Sequence, residues 1–433
     1  MEGNRAMAAD EAGRGEAAAL EADPETLGGA DLSAVPDLVD APSAPPAAGP
    51  AEAEEDPVRR GALGVLEGTW RPEDGFCPPN PTTYPHLWLW DSCFHAIAWA
   101  GLGDPRAATE LGSCLQAQLS HGFVPHMRYA SPSINRGPLA DRSSFTQPPI
   151  YAHAARAIAG RGIELTRATL PAVTRALDYL WEHRRTDDGL LFIVHPWESG
   201  SDDSPRWDSW IGRSDWNRLA FTAADHRLVA AALFDNRGAA VTSRAFVAAP
   251  SAFNAFAGHA AAELAALTGD ATWARRAAEL AEAVDGLLWD EAQGLWVDRA
   301  IVGDGATASI PTLDGLMPAL ITADEDKARR TLAQAADPTR FAAPFGPRFL
   351  PRDHPAYRAD EYWRGPAWPQ LGYMLTVAAR AWGEDALAAE LADTGRRSAL
   401  TSGFAEYWNP ETGDGLGARP QGWAAVAAAY PAG

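Results

Sequence analysis

From about residue 57 onward the apolar positions follow the period of an α-helix. In 251–268 they fall at Phe253, Phe256, Ala260, Leu264 and Leu267, spacings of three and four. That spacing puts them on one face of a helix. After the Gly269-Asp270 break the spacing returns in Trp273, Ala277, Leu280, Val284 and Leu287. The two runs predict a helical hairpin around a tight turn. Similar segments are predicted near 57–66, 92–101, 104–119, 148–160, 167–184, 214–232, 312–321, 324–335, 361–380, 384–395 and 421–430. Two short alternating runs, Leu190–Val194 and Gly294–Asp298, predict small β-hairpins in connecting loops. Neither heptads nor βαβ alternation occurs. About a dozen helices in hairpin order predict an all-α class, and six pairs fit an (α/α)6 barrel, a six-hairpin toroid. A solenoid of helix pairs has the same pattern.

Residues 1–55 break this pattern. They contain no aromatic residue and are dominated by Ala, Glu, Asp, Pro and Gly. Such a stretch buries too little apolar surface to offset its ordering entropy, so it is read as a disordered acidic tail. The catalytic domain is expected to span 56–433. The net charge of −21 disfavours nucleic acid, whose phosphates call for Lys and Arg, and an anionic membrane surface. No run approaches the roughly 20 apolar residues of a membrane span. The acidic N-terminus lacks a basic segment followed by an apolar one, which leaves the cytoplasm as the expected compartment. The three cysteines, Cys77, Cys93 and Cys114, form neither a disulfide framework nor a CxxC metal motif.

The 17 tryptophans change the picture, because they cluster beside acids. A flat ring stacks on the C–H face of a sugar while a carboxylate accepts from its hydroxyls. The first cluster, Tyr84–Ser92, carries Trp88, Trp90 and Asp91. Asp91 also sits where a helix is predicted to start, the place of a capping residue. The second, His195–Asp208, holds Glu198, Asp202, Asp203 and Asp208 between Trp197 and Trp207. Crowded acids beside apolar walls raise one another's pKa, as a general acid near neutral pH requires. The third, Asp360–Pro369, has Trp363 and Trp368 around Gly365-Pro366; the fourth, Phe404–Gly415, puts Glu406 in an aromatic setting. Glu411 and Asp414 there read as turn residues.

Two carboxylates from separate loops, Asp202 and Glu406, are the minimum for glycoside hydrolysis. Spacing alone does not choose Asp202 over Glu198 or Asp203. No GxSxG, Walker or HExxH motif competes, and His121 and His126, five apart, make a poor helical pair for a metal. No cofactor and no metal are expected.

At these clusters the chain resembles glycoside hydrolase family 63, especially its bacterial branch acting on mannosylglycerate and glucosylglycerate. Neutral trehalases are more distantly similar. The matching stretches are Pro85–Phe94, Gly122–Met127, Thr146–Pro149, His195–Asp208, Tyr362–Pro369 and Phe404–Gly417. The resemblance implies an (α/α)6 barrel and an inverting mechanism, with Asp202 as general acid and Glu406 as general base. It implies that Trp90 and Asp91 contact the sugar, and that Trp197, Gly200, Trp363, Gly365 and Trp368 line the same pocket. Tyr84, Trp88 and Gln147 would face the leaving group or the loop over it, and Trp423 would be a further wall. Ser201 and Asp203 stand where the family often has Met and Asn, and the motif around Trp423 reads Gln421–Ala425 without its usual Ser and Thr.

The expected function is therefore an inverting α-glycoside hydrolase on a small saccharide, glucosylglycerate or mannosylglycerate first. Arg128, Arg142 and Arg419 are candidates for a glycerate carboxylate. The alternatives are an enzyme of the trehalase or α-glucosidase type on a neutral di- or oligosaccharide, a non-catalytic carbohydrate-binding protein, or a sugar epimerase on the same toroid. Oligomeric state is left open.

Overall fold

Asp56 opens the first helix by accepting from the Val58 amide at 2.9 Å, with Pro57 at the first helical position. Its other oxygen pairs with Arg396 at 2.6 Å, tying this end to a helix near the C-terminus. The computed structural model describes residues 56–130 and 137–430. The segment 1–55 expected as a disordered tail lies outside the described residues.

The helices are α1 (Pro57–Thr69), α2 (Leu89–Leu102), α3 (Arg106–Leu115), α4 (Tyr151–Gly160), α5 (Thr169–His183), the one-turn α6 (Asp208–Ile211), α7 (Arg218–Ala231), α8 (Ser251–Thr268), α9 (Ala271–Leu287), α10 (Glu325–Ala336), α11 (Pro369–Ala381) and α12 (Asp385–Ser402). The predicted break between α8 and α9 is Gly269, at φ 72°, a left-handed cap that glycine adopts without a Cβ penalty.

Two of the predicted helices, at 312–321 and 421–430, are instead 3₁₀ segments, Leu313–Leu320 and Gly422–Ala429. Pro318 inside the first removes a backbone donor. The helix expected from 361 begins only at Pro369. Pro366 disfavours helical backbone in the residue before it, and 361–368 form turns and a bridge instead.

Packing runs in a cycle. α2 packs on α4, α4 on α8, α8 on 313–320, that segment on α11, α11 on 422–429, and 422–429 back on α2. Outside this cycle α3 lies on α2, α5 on α4, α9 on α8, α10 on 313–320, α12 on α11, and α1 on 422–429. The members of the cycle are mostly buried all round, as in Leu89–Gly101, whereas α9 and α10 bury one stripe. That is the difference expected between a helix inside a protein and one at its surface.

The strands form two-stranded antiparallel pairs in the loops: β1 (Leu87–Trp88) with β2 (Met127–Arg128), β3 (Ala232–Phe234) with β4 (Ala240–Ser243), β5 (Val247–Ala249) with β8 (Arg299–Val302), β6 (Trp289–Asp290) with β7 (Leu295–Trp296), and β9 (Tyr407–Trp408) with β10 (Gly415–Leu416). The hairpin predicted at Gly294–Asp298 is β6–β7. Leu190–Val194 pairs through bridges alone: Leu191 with Arg185 across a tight turn, in a small antiparallel hairpin, and Ile193 with Ala248. Among the described residues no helix is long and apolar enough to cross a membrane.

Candidate active site

Five loops converge on one pocket. It is open to solvent, holds about 380 Å³ of empty space with its mouth included, and is lined by Pro79, Tyr84, Trp88, Trp90, Asp91, Gln147, Gly200, Asp202, Tyr362, Glu406, Gln421 and Trp423. The β1–β2 pairing sets Trp88 opposite Met127 and so joins the first motif to Gly122–Met127. α2 then starts at Leu89, and Gln147 Oε1 accepts from the Trp90 amide at 3.3 Å. Trp90 and Trp423 meet edge to face at 5.9 Å.

Asp91 lies in the first turn of α2 but does not cap it; the capping position belongs to Trp88. The buried Asp91 carboxylate accepts instead from Gln421 Nε2 at 3.3 Å. Burial pushes its pKa up to about 7, opposed by His95 and aided by the Glu406 charge.

Glu406 is 3% exposed. Its Oε1 accepts from the Tyr84 hydroxyl at 3.0 Å, and its Oε2 from the Ala418 amide at 2.8 Å. Trp423 Nε1 donates to the Glu406 carbonyl at 2.8 Å. Burial raises the carboxyl pKa, and the two hydrogen bonds oppose the rise. Strain accompanies this placement. Phe404, two residues earlier, has φ 54°, and Trp363, beside Tyr362, has φ 55°. Left-handed backbone at a non-glycine residue costs about 1–3 kcal/mol and persists where packing over-determines it.

The acid-rich cluster resolves into separate roles. Glu198 is fully buried and receives both Arg184 Nη atoms at 2.9 and 2.8 Å, plus the amides of Val194 and Thr146. Asp208 takes a two-pronged contact from Arg364 at 2.7 and 2.6 Å. Asp203 accepts from Trp216 Nε1 at 2.9 Å, and burial raises its pKa. Asp202 is half-buried in a turn and faces the pocket. Its charge and that of Glu406 both act on Tyr84 and Tyr362, pushing those phenols up after burial has done most of the work. The two carboxylates thus border one space. The loop carrying Asp202 is pinned by Ser201, whose hydroxyl donates to Asp314 at 2.6 Å, and by Arg206, paired with Asp298 and Asp314.

Nine expected residues share the pocket: Tyr84, Trp88, Trp90, Asp91, Gln147, Gly200, Asp202, Glu406 and Trp423. The other four do not line it. Trp363 stacks on Trp368 at 3.5 Å and 7°, and Trp368 backs Tyr407 and Trp423. Gly365 lies against the Arg358 backbone, with no room for a Cβ. Trp197 packs with Phe145 and His195 in a separate cluster. Glu411, read as a turn residue, is also the partner of Arg348 and the Tyr357 hydroxyl.

Residues 84–424 match the mannosylglycerate hydrolase MGH1-like glycoside hydrolase domain. The chain belongs to this branch of glycoside hydrolase family 63. It is 30% identical over 422 residues to a glucosylglycerate hydrolase of Mycolicibacterium hassiacum, covering 80% of this chain and 92% of that one. It is 29% identical to a mannosylglycerate hydrolase of Thermus thermophilus, covering 85% and 99%. The crystal structure of a family 63 mannosylglycerate hydrolase from Thermus thermophilus in complex with glucose superposes with a TM-score of 0.72 at 28% identity, over 86% of this chain and 99% of that one. Neutral trehalase Nth1 of Saccharomyces cerevisiae shares the fold alone, with a TM-score of 0.55 and 12% identity over 81% of this chain and 72% of that one. This family 63 member is a glycoside hydrolase.

Sequence reading missed Pro79, Tyr362, Gln421 and one arginine. Tyr362 and Gln421 lie within the aromatic motifs, beside Trp363 and two residues before Trp423, where the tryptophans are the stronger sugar-binding signal. Of the arginines considered for an anionic substrate, Arg142 binds Asp141 and the Ala117 carbonyl, Arg419 donates to the Gly415 carbonyl, and Arg128 lies over Phe76. Arg218, exposed at the first turn of α7, is a cation whose charge favours the ionised forms of Glu406, Tyr84 and Tyr407 and, after that of Arg364, of Asp203.

Proposed function

We propose that this chain is an inverting glycosidase built on an (α/α)6 barrel, acting on a small α-glucoside or α-mannoside, with glucosylglycerate and mannosylglycerate as its first substrates. The observation that carries the reading is the pair Asp202 and Glu406 bordering one pocket walled by Trp88, Trp90 and Trp423. The closed packing cycle of six segments, each backed by a further helix, supports the barrel.

In this mechanism the sugar sits against Trp90 and Trp423, with Asp91 and Gln421 accepting from and donating to its hydroxyls. Asp202 protonates the glycosidic oxygen. Glu406, oriented by Tyr84 and Ala418, takes a proton from a water that attacks the opposite face of the anomeric carbon. Inversion places the two carboxyl groups about 6.5–9.5 Å apart. The Arg218 charge, which acts on Glu406 and Tyr84 of the pocket, supports an anionic aglycone such as glycerate, since a guanidinium matches a carboxylate with two parallel hydrogen bonds.

Proton NMR during turnover of glucosylglycerate, mannosylglycerate, trehalose and kojibiose tests the reading. The expected result is early appearance of the β-anomer from a glycerate glycoside. First appearance of the α-anomer would remove inversion. Cleavage of trehalose or kojibiose alone would move the substrate to neutral disaccharides, and no cleavage at all would favour a binding protein.

A further inference from the structure

Away from the sugar pocket, α4 and α8 bring together His153, His259 and Glu263. His259 and Glu263 are one turn apart on α8; His153 comes from α4, more than a hundred residues earlier. His259 and His153 are buried and Glu263 is half-buried. Three potential donor atoms form a near-equilateral triangle. His259 Nε2 is 3.1 Å from His153 Nδ1, His153 Nδ1 is 3.4 Å from Glu263 Oε1, and His259 Nε2 is 3.5 Å from the same oxygen.

That triangle has the dimensions of one face of a zinc tetrahedron. Bonds of about 2.0–2.2 Å to nitrogen and oxygen place neighbouring ligands about 3.3–3.5 Å apart. The surroundings also orient the donors. The Tyr373 hydroxyl meets the other nitrogen of His153, Nε2, at 3.3 Å. With that nitrogen protonated and donating to the phenol oxygen, Nδ1 carries a lone pair. Arg156 meets the other oxygen of Glu263, Oε2, at 3.4 Å, leaving Oε1 turned toward the imidazoles. Nδ1 of His259 has no partner among the described residues and is open to the ring proton; the hydrogen bond between its Nε2 and His153 Nδ1 is the one that a bound ion would replace.

We propose that His153, His259 and Glu263 form a structural site for a divalent transition-metal ion, zinc by donor set and geometry. The ion joins α4 to α8, two members of the inner packing cycle. Tyr373 also touches Phe94, which in turn touches Trp90 of the pocket wall. The site therefore braces the layer under the sugar pocket without entering it.

The test uses full-length, tag-free protein. It is saturated with ZnCl₂, desalted, and assayed for zinc by elemental analysis, alongside His259→Gln and His153→Phe. Expected are one zinc per chain in the unmodified protein, a rise of a few degrees in its unfolding temperature with zinc, and loss of both in either variant. Should the variants fail to fold, cobalt decides on the unmodified chain. A four-coordinate site of nitrogen and oxygen ligands gives visible d–d bands without thiolate charge transfer. Failure to retain a stoichiometric ion would overturn the proposal. So would a thiolate–cobalt band, which would assign the ion to the buried Cys77, His95 and Glu110 cluster instead.

Discussion

The Tyr84 hydroxyl donates to Glu406 Oε1 at 3.0 Å, across 322 residues of chain. The first aromatic motif thereby holds the carboxylate of the last. Because the bond stabilises the ionised form, it opposes the upward push of burial on the Glu406 pKa. A general base works only when ionised. Tyr84→Phe should therefore raise the Glu406 pKa and move the acidic limb of kcat/KM to higher pH. A pH–rate profile of both proteins checks this, and an unmoved limb would separate Glu406 from that limb.

Asp202 and Glu198 should part company on substitution. Asp202→Asn should lower kcat by about 10²–10⁴, the usual share of general acid–base catalysis, with little change in unfolding. Glu198→Gln leaves the buried Arg184 charge without its partner. Breaking such a pair costs about 3–5 kcal/mol of stability. Denaturant unfolding and initial rates on both variants decide it; a stable, slow Glu198→Gln would reverse the assignments.

Asp91 predicts a pH window. Its pKa is pushed up to about 7 in the folded chain, against about 3.9 for an unperturbed aspartate. Between these values the folded state binds more protons than the unfolded state. The stability contributed by this group is therefore present below about pH 4 and falls as pH rises to about 7. The slope reaches about 1.4 kcal/mol per pH unit. Asp91→Asn removes the titration, so its unfolding temperature relative to the unmodified chain should climb across that window and stay level below it. Calorimetry at several pH values measures the difference.

Gly200 has φ 79°, and a Cβ there would lie 2.7–3.0 Å from the Trp90 ring. Alanine at this position costs about 1–2 kcal/mol in backbone conformation alone and pushes Trp90 toward the sugar. Gly200→Ala should raise KM more than it lowers kcat. Steady-state kinetics would refute this if KM were unchanged.

Much was legible in the chain itself. Three-four apolar spacing predicted the helical hairpins because burying one face requires it. The family followed from local motifs, since Trp, Asp and Glu in contiguous stretches survive as a pattern without tertiary information. The Gly269 turn was readable for the same reason, as a break between two periodic runs.

The tertiary structure decided what depends on partners far away in sequence. Glu198, Asp202, Asp203 and Asp208 are chemically similar and adjacent, so spacing ranks none of them. Arg184, Trp216 and Arg364 engage three of them, the last from 156 residues away, and Asp202 is the one at the pocket. Trp363 and Trp368 looked like pocket walls because composition reports ring and charge but not depth. They stack on each other and Tyr407 covers the other face of Trp368, so packing rather than an open pocket takes up these ring faces. Arg218 and the histidine pair His153 and His259 carried no motif, because electrostatic reach and ligand triangles are properties of distances in space.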